Sequence, residues 1–479
     1  MSESPFDPER VRRLNDKPAG DGDFVLLWMQ QSQRAEWSHA LEYAVWRSNE
    51  TRKPLLALFA LTDRFPEANL RHFAFMIEGV ADAAAGLEKR GIKMVMGTGD
   101  PSDIVLETAK NASEVVCDMG YLRIQRRWRR RLARRCPCAL TQVESDAIVP
   151  VETVSDKAEY AARTIRPRIS RLLDHFLKPV RKVPVRFPSL SLQTPAALMP
   201  MTDISNPRAL LKNLDIDASI PPADPFFTGG FSQAQKRFNA FLKNRIQRHS
   251  QNSNQPQTDD TSGMGPYLHF GHVSPLWMAW RVKRAKLPET VKEDFLEQLI
   301  VRRELSINFV WRAPDYDSFS CLPPWARKTL IEHAWDPRPF VYSRDELDAA
   351  QTHDPYWNAA MDEMKTTGYM HNYMRMYWGK KILEWTQDPE TAFDTVLWLN
   401  NRYFLDGRDP NSFAGAAWIF GKHDRAWKER EIFGKVRYMN AAGLERKCDI
   451  KAYVAKVERL KKKRRAFDKK TSGKKPRPG

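Results

Sequence analysis

The sequence predicts an α/β domain with a parallel, Rossmann-like sheet, followed by an all-α domain. In the first third of the chain, short continuous apolar runs alternate with stretches of helical period, a pattern typical of βαβ units. Beyond residue 226 the strand signals vanish and helix-period segments follow one another, which indicates a helical domain.

The α/β prediction covers residues 23–178. Amphipathic segments at 38–47 and 69–89 are predicted helices that separate the strands. Each predicted strand is a continuous apolar run, as expected for a strand buried on both faces. These runs are FVLLWM (24–29), PLLALFAL (54–61), IKMVM (92–96) and EVVC (114–117).

The remaining regions are divided by composition. Residues 1–22 are expected to form a flexible N-terminus, and 461–479 a basic tail. Residues 179–225 contain nine of the 32 prolines and little periodicity, which indicates an interdomain linker. The predicted helical domain spans 226–460. Its helix-period segments are 232–247, 274–286, 289–308, 325–333, 362–384 and 389–401.

Positive charge is concentrated in two segments of a chain whose net charge is +18. The segment 461–479 holds ten basic residues against one acid, and 123–135 holds eight arginines and no acid. Concentrated positive charge favours polyanionic partners such as nucleic acid, although solubility explains the tail equally well. In 123–135, Trp128 and Leu132 form a narrow apolar stripe, which indicates a surface helix without a functional role.

Cysteine use and hydropathy exclude several classes of protein. The five cysteines are odd in number and scattered, so no disulfide framework is indicated and a reducing compartment fits. Cys136 and Cys138 lack the two-residue spacer of a zinc site, so we expect no metal. No stretch approaches about 18 uncharged apolar residues, so no membrane association is expected.

Tryptophan is unusually abundant, with 15 residues. Trp378 and Trp385 are two helical turns apart and share a helix face, about 10 Å apart along the axis, and Trp357 lies upstream. Aromatic residues at this spacing commonly form core. Alternatively, closely spaced oxidisable rings can carry electrons between a buried cofactor and the surface.

A second group of polar residues lies in one turn. Asp406, Arg408 and Asp409 surround Gly407, and Asn400 lies shortly before them. Charges placed between apolar segments cost desolvation free energy unless partners satisfy them. The pattern predicts a helix N-cap at Asp409, a polar clamp for a heteroaromatic ring system, or both.

Together these segments closely resemble the photolyase/cryptochrome flavoproteins, specifically class II cyclobutane pyrimidine dimer photolyases. The resemblance extends from Phe24 to about Val457. It implies a helical domain that binds FAD in a bent shape, and light-driven electron transfer that splits pyrimidine dimers in UV-damaged DNA. The matching segments include FVLLWMQQSQR (24–34), PEANLRHFAFMIEG (66–79), YAARTIRPRI (160–169), PYLHFGHVSP (266–275), FLEQLIVRREL (295–305), MHNYMRMYWGKKILEW (370–385), LDGRDPN (405–411) and GKVRYMN (434–440).

The resemblance also implies roles for individual residues. Arg375 and Asp406 are expected to form an ion pair beside the flavin ring, with Asn400 facing its redox-active nitrogen. The three tryptophans are expected to form the chain that reduces the flavin under light. Further FAD contacts are expected at Thr261, Ser262, Tyr267 and Asp409; lesion contacts at Asn254, Met376 and Trp418; and DNA phosphate contacts at Arg302, Lys435 and Arg437.

The chain departs from the family at the lesion pocket. Two adjacent glutamates are usual where this chain has Glu297 and Gln298. The glutamate that hydrogen-bonds the dimer aligns best with Gln298, and Glu297 is the alternative, because adjacent helical residues point about 100° apart. A carboxamide can hydrogen-bond but cannot supply a proton. Three other positions, His249, Ser253 and Gly263, also differ from the usual family residues.

Two functions therefore stay open on sequence grounds. One is repair of flipped-out pyrimidine dimers by reduced FAD, which Asn254, Met376 and Trp418 favour. The other is a cryptochrome-like photoreceptor with weak or no repair, which Gln298 favours. An antenna chromophore of folate or deazaflavin type is a further expectation. We expect a monomer, in the cytoplasm with the nucleoid in a bacterium or archaeon, or in the nucleus of a eukaryote.

Overall fold

The N-terminal domain is built on a seven-stranded sheet in the order β1-β6-β5-β2-β3-β4-β7. The computed structural model describes residues 5–201 and 206–472. The five inner strands run parallel, and the two edge strands are antiparallel, which confirms the predicted class. The strands are β1 (Val11–Arg13), β2 (Phe24–Met29), β3 (Leu55–Leu61), β4 (Lys93–Thr98), β5 (Ala112–Asp118), β6 (Ala139–Val143) and β7 (Met199–Pro200).

Strand order places a crevice at the carboxyl ends of β2 and β5. The chain winds from β2 outward through β3 and β4, then returns to the other side of β2 with β5 and β6. Such a reversal opens a ligand crevice beyond the strand ends. The helices on the two faces are α1 (His39–Thr51), α2 (Leu70–Glu88), α3 (Pro101–Ala109), α4 (Arg123–Arg135), α5 (Val151–Val154) and α6 (Ala162–Phe176).

The C-terminal domain is helical, and α15 to α18 pack around a core rich in aromatic residues. A π-helical turn, Glu297–Arg302, joins α11 to α12. None of the described helices is long and apolar enough to cross a membrane. The helices are α7 (Phe231–Asn244), α8 (Ile246–His249), α9 (Gly265–His269), α10 (Pro275–Lys283), α11 (Glu289–Leu296), α12 (Arg303–Arg312), α13 (Pro324–Glu332), α14 (Arg344–Ala349), α15 (Pro355–Thr367), α16 (Asn372–Trp385), α17 (Pro389–Tyr403), α18 (Pro410–Ile419), α19 (Ala441–Lys447) and α20 (Ile450–Ser472).

The structure differs from the predicted boundaries in four places. The predicted helix 362–384 is two helices, α15 and α16, because Gly368 ends α15 in the left-handed conformation. Strand β1 lies within 1–22, where a flexible terminus was expected, and β7 lies within the expected linker 179–225. Both are short edge strands held by backbone pairing, so they leave no apolar pattern in the sequence. The tail expected from 461 continues α20 to Ser472, and Arg464 donates to the carbonyls of Pro222 and Asp224. Residues 1–4, 202–205 and 473–479 lie outside the described part of the chain.

The arginine-rich helix α4 joins the two domains, although its sequence predicted a surface helix without a role. The Arg126 guanidinium stacks over Trp311, 4.2 Å from the ring centroid, and donates to the Trp311 carbonyl at 2.9 Å. Arg123 donates to the Pro314 carbonyl at 2.7 Å. These carbonyls lie at and just beyond the end of α12, where helix carbonyls lack internal partners. The amino-terminal end of α4 therefore contributes to the domain interface.

Candidate functional site

An ion pair joins α16 to the turn after α17. The Arg375 guanidinium lies 3.0 Å from the Asp406 carboxylate, and both side chains are largely buried. The start of α9 approaches the same carboxylate so closely that a Cβ at Gly265 would lie 2.4 Å from Asp406 Oδ2. A side chain at position 265 would therefore displace the Asp406 carboxylate from Arg375, and the structure brings the predicted pair together.

The turn around Gly407 presents amide and carboxyl groups from buried positions. The Asn400 amide donates to Asn401 Oδ1 at 2.9 Å and to the Ser412 hydroxyl. The Asp409 carboxylate accepts the backbone N–H of Ser412 at 2.9 Å, so it caps α18 as its sequence context predicted. Burial raises the pKa of Asp409 to about 7.

The segment before α9 contains the predicted phosphate-binding hydroxyls. Thr261 Oγ1 accepts a hydrogen bond from the Tyr369 hydroxyl at 3.3 Å, and Ser262 follows directly. Tyr267 is buried, and its hydroxyl donates to the Thr228 carbonyl at 2.9 Å. Thr261 and Ser262 thus lie in the loop just before α9, whereas the Tyr267 hydroxyl is bonded to a backbone carbonyl.

The three predicted tryptophans meet in one buried cluster. The ring centroids of Trp357 and Trp385 are 5.5 Å apart. Trp357 Nε1 donates to the Trp378 carbonyl at 2.9 Å, and Trp378 Nε1 donates to the Met361 sulfur at 2.9 Å. Trp357 of α15 therefore lies beside both tryptophans of α16.

Phe404 connects this cluster to the ion pair. Its ring centroid lies 6.2 Å from that of Trp378 and 3.9 Å from the Arg375 guanidinium carbon. The polar clamp and the tryptophans are consequently neighbours in one continuous aromatic core, although the two motifs lie in separate parts of the sequence.

The π-helical turn contains both candidate lesion contacts, and their side chains have different surroundings. The Glu297 carboxylate is held by Arg166 of α6 at 2.7 Å and by Arg302 at 3.2 Å. Gln298 is exposed, and its amide has no hydrogen-bond partner within the described ranges. π-turns are rare and occur often at functional sites. Arg302, a predicted phosphate contact, is therefore partly engaged by Glu297.

Cations surround the predicted lesion contact Trp418. Its ring centroid lies 5.2 Å from Lys380 Nζ and 5.7 Å from the Arg437 guanidinium carbon. Lys380 is fully buried, donates to the Ile419 carbonyl, and burial lowers its pKa to about 7. Lys380 was not predicted as a site residue, because the lysine pair 380–381 carries no local sign in the sequence that either side chain is buried.

The other predicted DNA contacts are dispersed. Met376 of α16 packs against the same core cluster as Trp418, on helices that contact each other. Lys435 is exposed and lies 3.9 Å from Glu429. Asn254 is exposed in a turn before Thr261. The structure thus brings Arg437 to Trp418, with Lys435 two residues before Arg437 on the same segment, and it places Asn254 on a different segment.

A pocket lies at the carboxyl ends of the parallel strands, between the domains. Its walls are mainly aromatic and aliphatic, and polar groups are added by Arg408, the imidazole of His72 and Asp409, which was predicted to contact FAD. Burial and the Arg408 charge lower the pKa of His72 well below its usual value. Other lining residues are Met29, Phe59, Phe73, Trp128 and Phe270.

Comparisons with known proteins agree with this architecture. A family model described as DNA photolyase matches residues 25–187. A protein from Methanothermobacter thermautotrophicus named deoxyribodipyrimidine photo-lyase is 50% identical over 455 residues, which cover 94% of this chain and 98% of that protein. The Oryza sativa protein of the same name is 39% identical, over 94% of this chain and 90% of that protein.

Solved structures share the fold at low sequence identity. A bacterial class III photolyase from Agrobacterium tumefaciens has a TM-score of 0.71 and 17% identity, over 92% of this chain and 87% of that one. An archaeal photolyase from Sulfolobus tokodaii, crystallised with two FAD molecules, has a TM-score of 0.67 and 14% identity, over 90% and 89%.

Proposed function

Because the chain belongs to the DNA photolyase family, we propose that it splits cyclobutane pyrimidine dimers in DNA under light. The name shared by its relatives supports light-driven DNA repair in general. The observation that carries the finer proposal is the single core in which Phe404 joins the Arg375–Asp406 pair to Trp378.

The residues around this pair suit FAD. Arg375 offers donors and Asp406 acceptors to the edge of a heteroaromatic ring, and Asn400 adds a carboxamide nearby. One helical turn before Arg375, His371 has a buried Nε2 without a partner among the described residues, as expected beside a ligand. When bound, FAD supplies the light absorption and the single electron that splits the dimer.

The tryptophan cluster is proposed to pass electrons toward the cofactor site. The indole N–H groups of Trp357 and Trp378 are bonded to a carbonyl and a thioether. Neither acceptor is basic enough to take a proton, so an oxidised ring here keeps its proton and can pass the positive charge onward. These hydrogen-bond partners favour fast transfer of the positive charge through the core, because no indole there is trapped as a deprotonated radical.

At the lesion pocket, Gln298 is the proposed dimer contact. Glu297 is already neutralised by Arg166 and Arg302, and turning it toward a substrate would leave their charges uncompensated. The Gln298 side chain has no hydrogen-bond partner among the described residues. Its amide can donate a hydrogen bond to a carbonyl oxygen of the dimer as charge develops there.

DNA is the proposed partner, with the lesion flipped into the pocket. Extrusion is required because a stacked base cannot reach a buried cofactor, and a damaged pair costs less to extrude. Arg437 and Lys435 are proposed to bind phosphates, which would make affinity fall with salt. The interdomain pocket is proposed to hold an aromatic antenna chromophore, because its walls are apolar and it lies at the strand ends.

The test is direct. The purified protein is expected to release one FAD per chain on denaturation. After chemical reduction and illumination, it is expected to restore a thymine-dimer oligonucleotide, with a dark sample as control. A flavin-loaded protein that leaves the dimer intact would instead support the photoreceptor function, which the exchange of a carboxyl group for Gln298 favours. A protein without flavin would contradict both.

A further inference from the structure

Beyond Trp385, a tyrosine and a histidine extend the aromatic cluster to the surface. The ring centroids of Tyr342 and His353 each lie 5.3 Å from that of Trp385. Trp385 is only 2% exposed, whereas Tyr342 is half-buried and His353 is exposed. Because Trp357 lies 5.5 Å from Trp385, these rings form a path from the core to solvent.

The hydrogen bonds of the Tyr342 phenol are arranged for proton transfer. Its oxygen accepts the backbone N–H of His353 at 3.0 Å and lies 2.7 Å from His353 Nδ1, to which the hydroxyl donates when the imidazole proton is on Nε2. This distance is within the range for direct proton transfer. Imidazole is the side-chain base best suited to accept a proton near neutral pH.

Neighbouring contacts hold both rings in position. The backbone N–H of Tyr342 donates to the Trp385 carbonyl at 3.2 Å. The His353 ring stacks on Phe340, with centroids 3.6 Å apart and planes inclined by 19°. The phenol therefore stays beside both the indole that can oxidise it and the base that can take its proton.

We propose that Tyr342 is the terminal electron donor of the tryptophan chain and that His353 accepts its phenolic proton. One electron passes from Tyr342 to the oxidised indole of Trp385, which returns to its neutral form. The O–H bond of Tyr342 breaks in the same step, and the proton moves to Nδ1 of His353. The products are a neutral tyrosyl radical and an imidazolium. This inference rests on the proposed function, since illumination must first oxidise Trp385.

Tyr342 and His353 can hold the separated charge longer than the inner tryptophans, Trp357 and Trp378, can. The carbonyl that accepts from Trp357 and the thioether that accepts from Trp378 leave the positive charge free to return to its origin. Transfer of the phenolic proton to His353 places the radical and the charge on separate groups at the surface. Return of the electron then requires the proton to return as well, which lengthens the life of the light-induced state.

The experiment follows flash-induced radicals in the FAD-bound protein by time-resolved absorption and by electron paramagnetic resonance after freezing. In the unaltered protein we expect a tryptophan radical that is replaced by a tyrosyl radical. Tyr342→Phe is expected to abolish the tyrosyl signal and to shorten the charge-separated state by about tenfold or more, equivalent to about 1.4 kcal/mol in the barrier to return.

The matched control is Tyr356→Phe. The Tyr356 hydroxyl also donates to a basic group, Glu445 Oε1 at 2.7 Å, but no ring contact joins Tyr356 to the tryptophans within the described chain. We expect this variant to retain the tyrosyl signal. Tyr377 is the competing donor because its hydroxyl donates to Asp354, so loss of the signal in Tyr377→Phe rather than Tyr342→Phe would overturn the assignment.

The proton acceptor is tested separately. His353→Gln keeps a hydrogen-bond acceptor that cannot hold a proton, so tyrosyl formation should slow by about tenfold. Added imidazole should restore the rate in His353→Ala, since this site is exposed. An unchanged rate in both variants would contradict the role of His353. An unchanged radical in Tyr342→Phe would contradict the inference while leaving the proposed function intact. Absence of any tryptophan radical would contradict the proposed electron chain, and this inference with it.

Discussion

Two groups of tryptophans in the helical domain have opposite electrostatic surroundings. Trp357 and Trp378 are buried and donate to a carbonyl and a thioether, both neutral. Trp418 lies near two cations, Lys380 and Arg437. A cation beside an indole stabilises the neutral ring and opposes loss of an electron. The first group is therefore suited to electron transfer and the second to contact with a substrate.

Trp385 is intermediate between these groups. Lys381 Nζ lies 5.5 Å from its ring, but the same ammonium is paired with Glu384 at 2.8 Å. The carboxylate offsets much of the ammonium field at Trp385. Lys380, by contrast, is held only by a neutral carbonyl among the described contacts. Under the proposed electron transfer, we therefore expect the location of charge, rather than residue type, to decide which tryptophans are oxidised.

The largest expected effect comes from breaking the electron chain. Trp378→Phe should nearly abolish photoreduction of oxidised FAD, because phenylalanine is much harder to oxidise. Repair by chemically reduced protein should stay nearly intact, since the chain feeds the cofactor and not the dimer. Flash photolysis and dimer-splitting assays measure the two rates. Trp335→Phe, at an 86% exposed ring, is the control. Equal loss in both assays would mark Trp378 as a packing residue only.

The second-largest effect is expected at the Arg375–Asp406 ion pair, which lies beside the tryptophans. Asp406→Asn removes the charge that compensates Arg375, so we expect FAD affinity to fall by about 1.5 to 3 kcal/mol, or roughly tenfold to a hundredfold. Equilibrium release of flavin measures this loss. Asp394→Asn, at an exposed position of α17, should leave affinity unchanged. Equal flavin affinity in the two variants would show that Asp406 does not face the cofactor.

The buried cation beside Trp418 predicts a pH dependence of stability. Burial lowers the pKa of Lys380 to about 7, from an ordinary value of 10.5. Between these values the unfolded chain binds one more proton than the folded protein, so stability rises with pH, by at most about 1.4 kcal/mol per unit. Below about pH 7 this contribution is flat. The free energy of unfolding of Lys380→Met, measured with urea between pH 7 and 9, should lack this rise with pH. An unchanged rise would show that another group causes it.

The smallest expected effect is at the lesion contact. Gln298→Glu should modestly raise the number of dimers split per absorbed photon, because a protonated carboxyl donates a stronger hydrogen bond to the developing negative charge. Glu297→Gln is the matched variant, and it should change DNA repair less, since Glu297 is engaged with Arg166. The reverse ranking of the two variants would place Glu297 at the lesion instead.

Sequence alone predicted the features that depend on local pattern. The apolar runs 24–29 and 54–61 became β2 and β3 because a strand buried on both faces must be apolar throughout. Asp409 capped α18 because an acid before proline can bind the free N–H groups of the first turn. The resemblance further led to Arg375 and Asp406, which the fold brings into contact.

Only the tertiary structure decided relations between distant segments. It placed Trp357 of α15 beside Trp378 and Trp385, whereas spacing related only the two residues of α16. It also bound Glu297 to Arg166, 131 positions away, and so distinguished it from Gln298. Such contacts arise from packing between helices, and packing is set by the whole core rather than by the periodicity of any one segment. For the same reason, no local pattern identified Lys380, whose burial follows from the approach of α18 to α16.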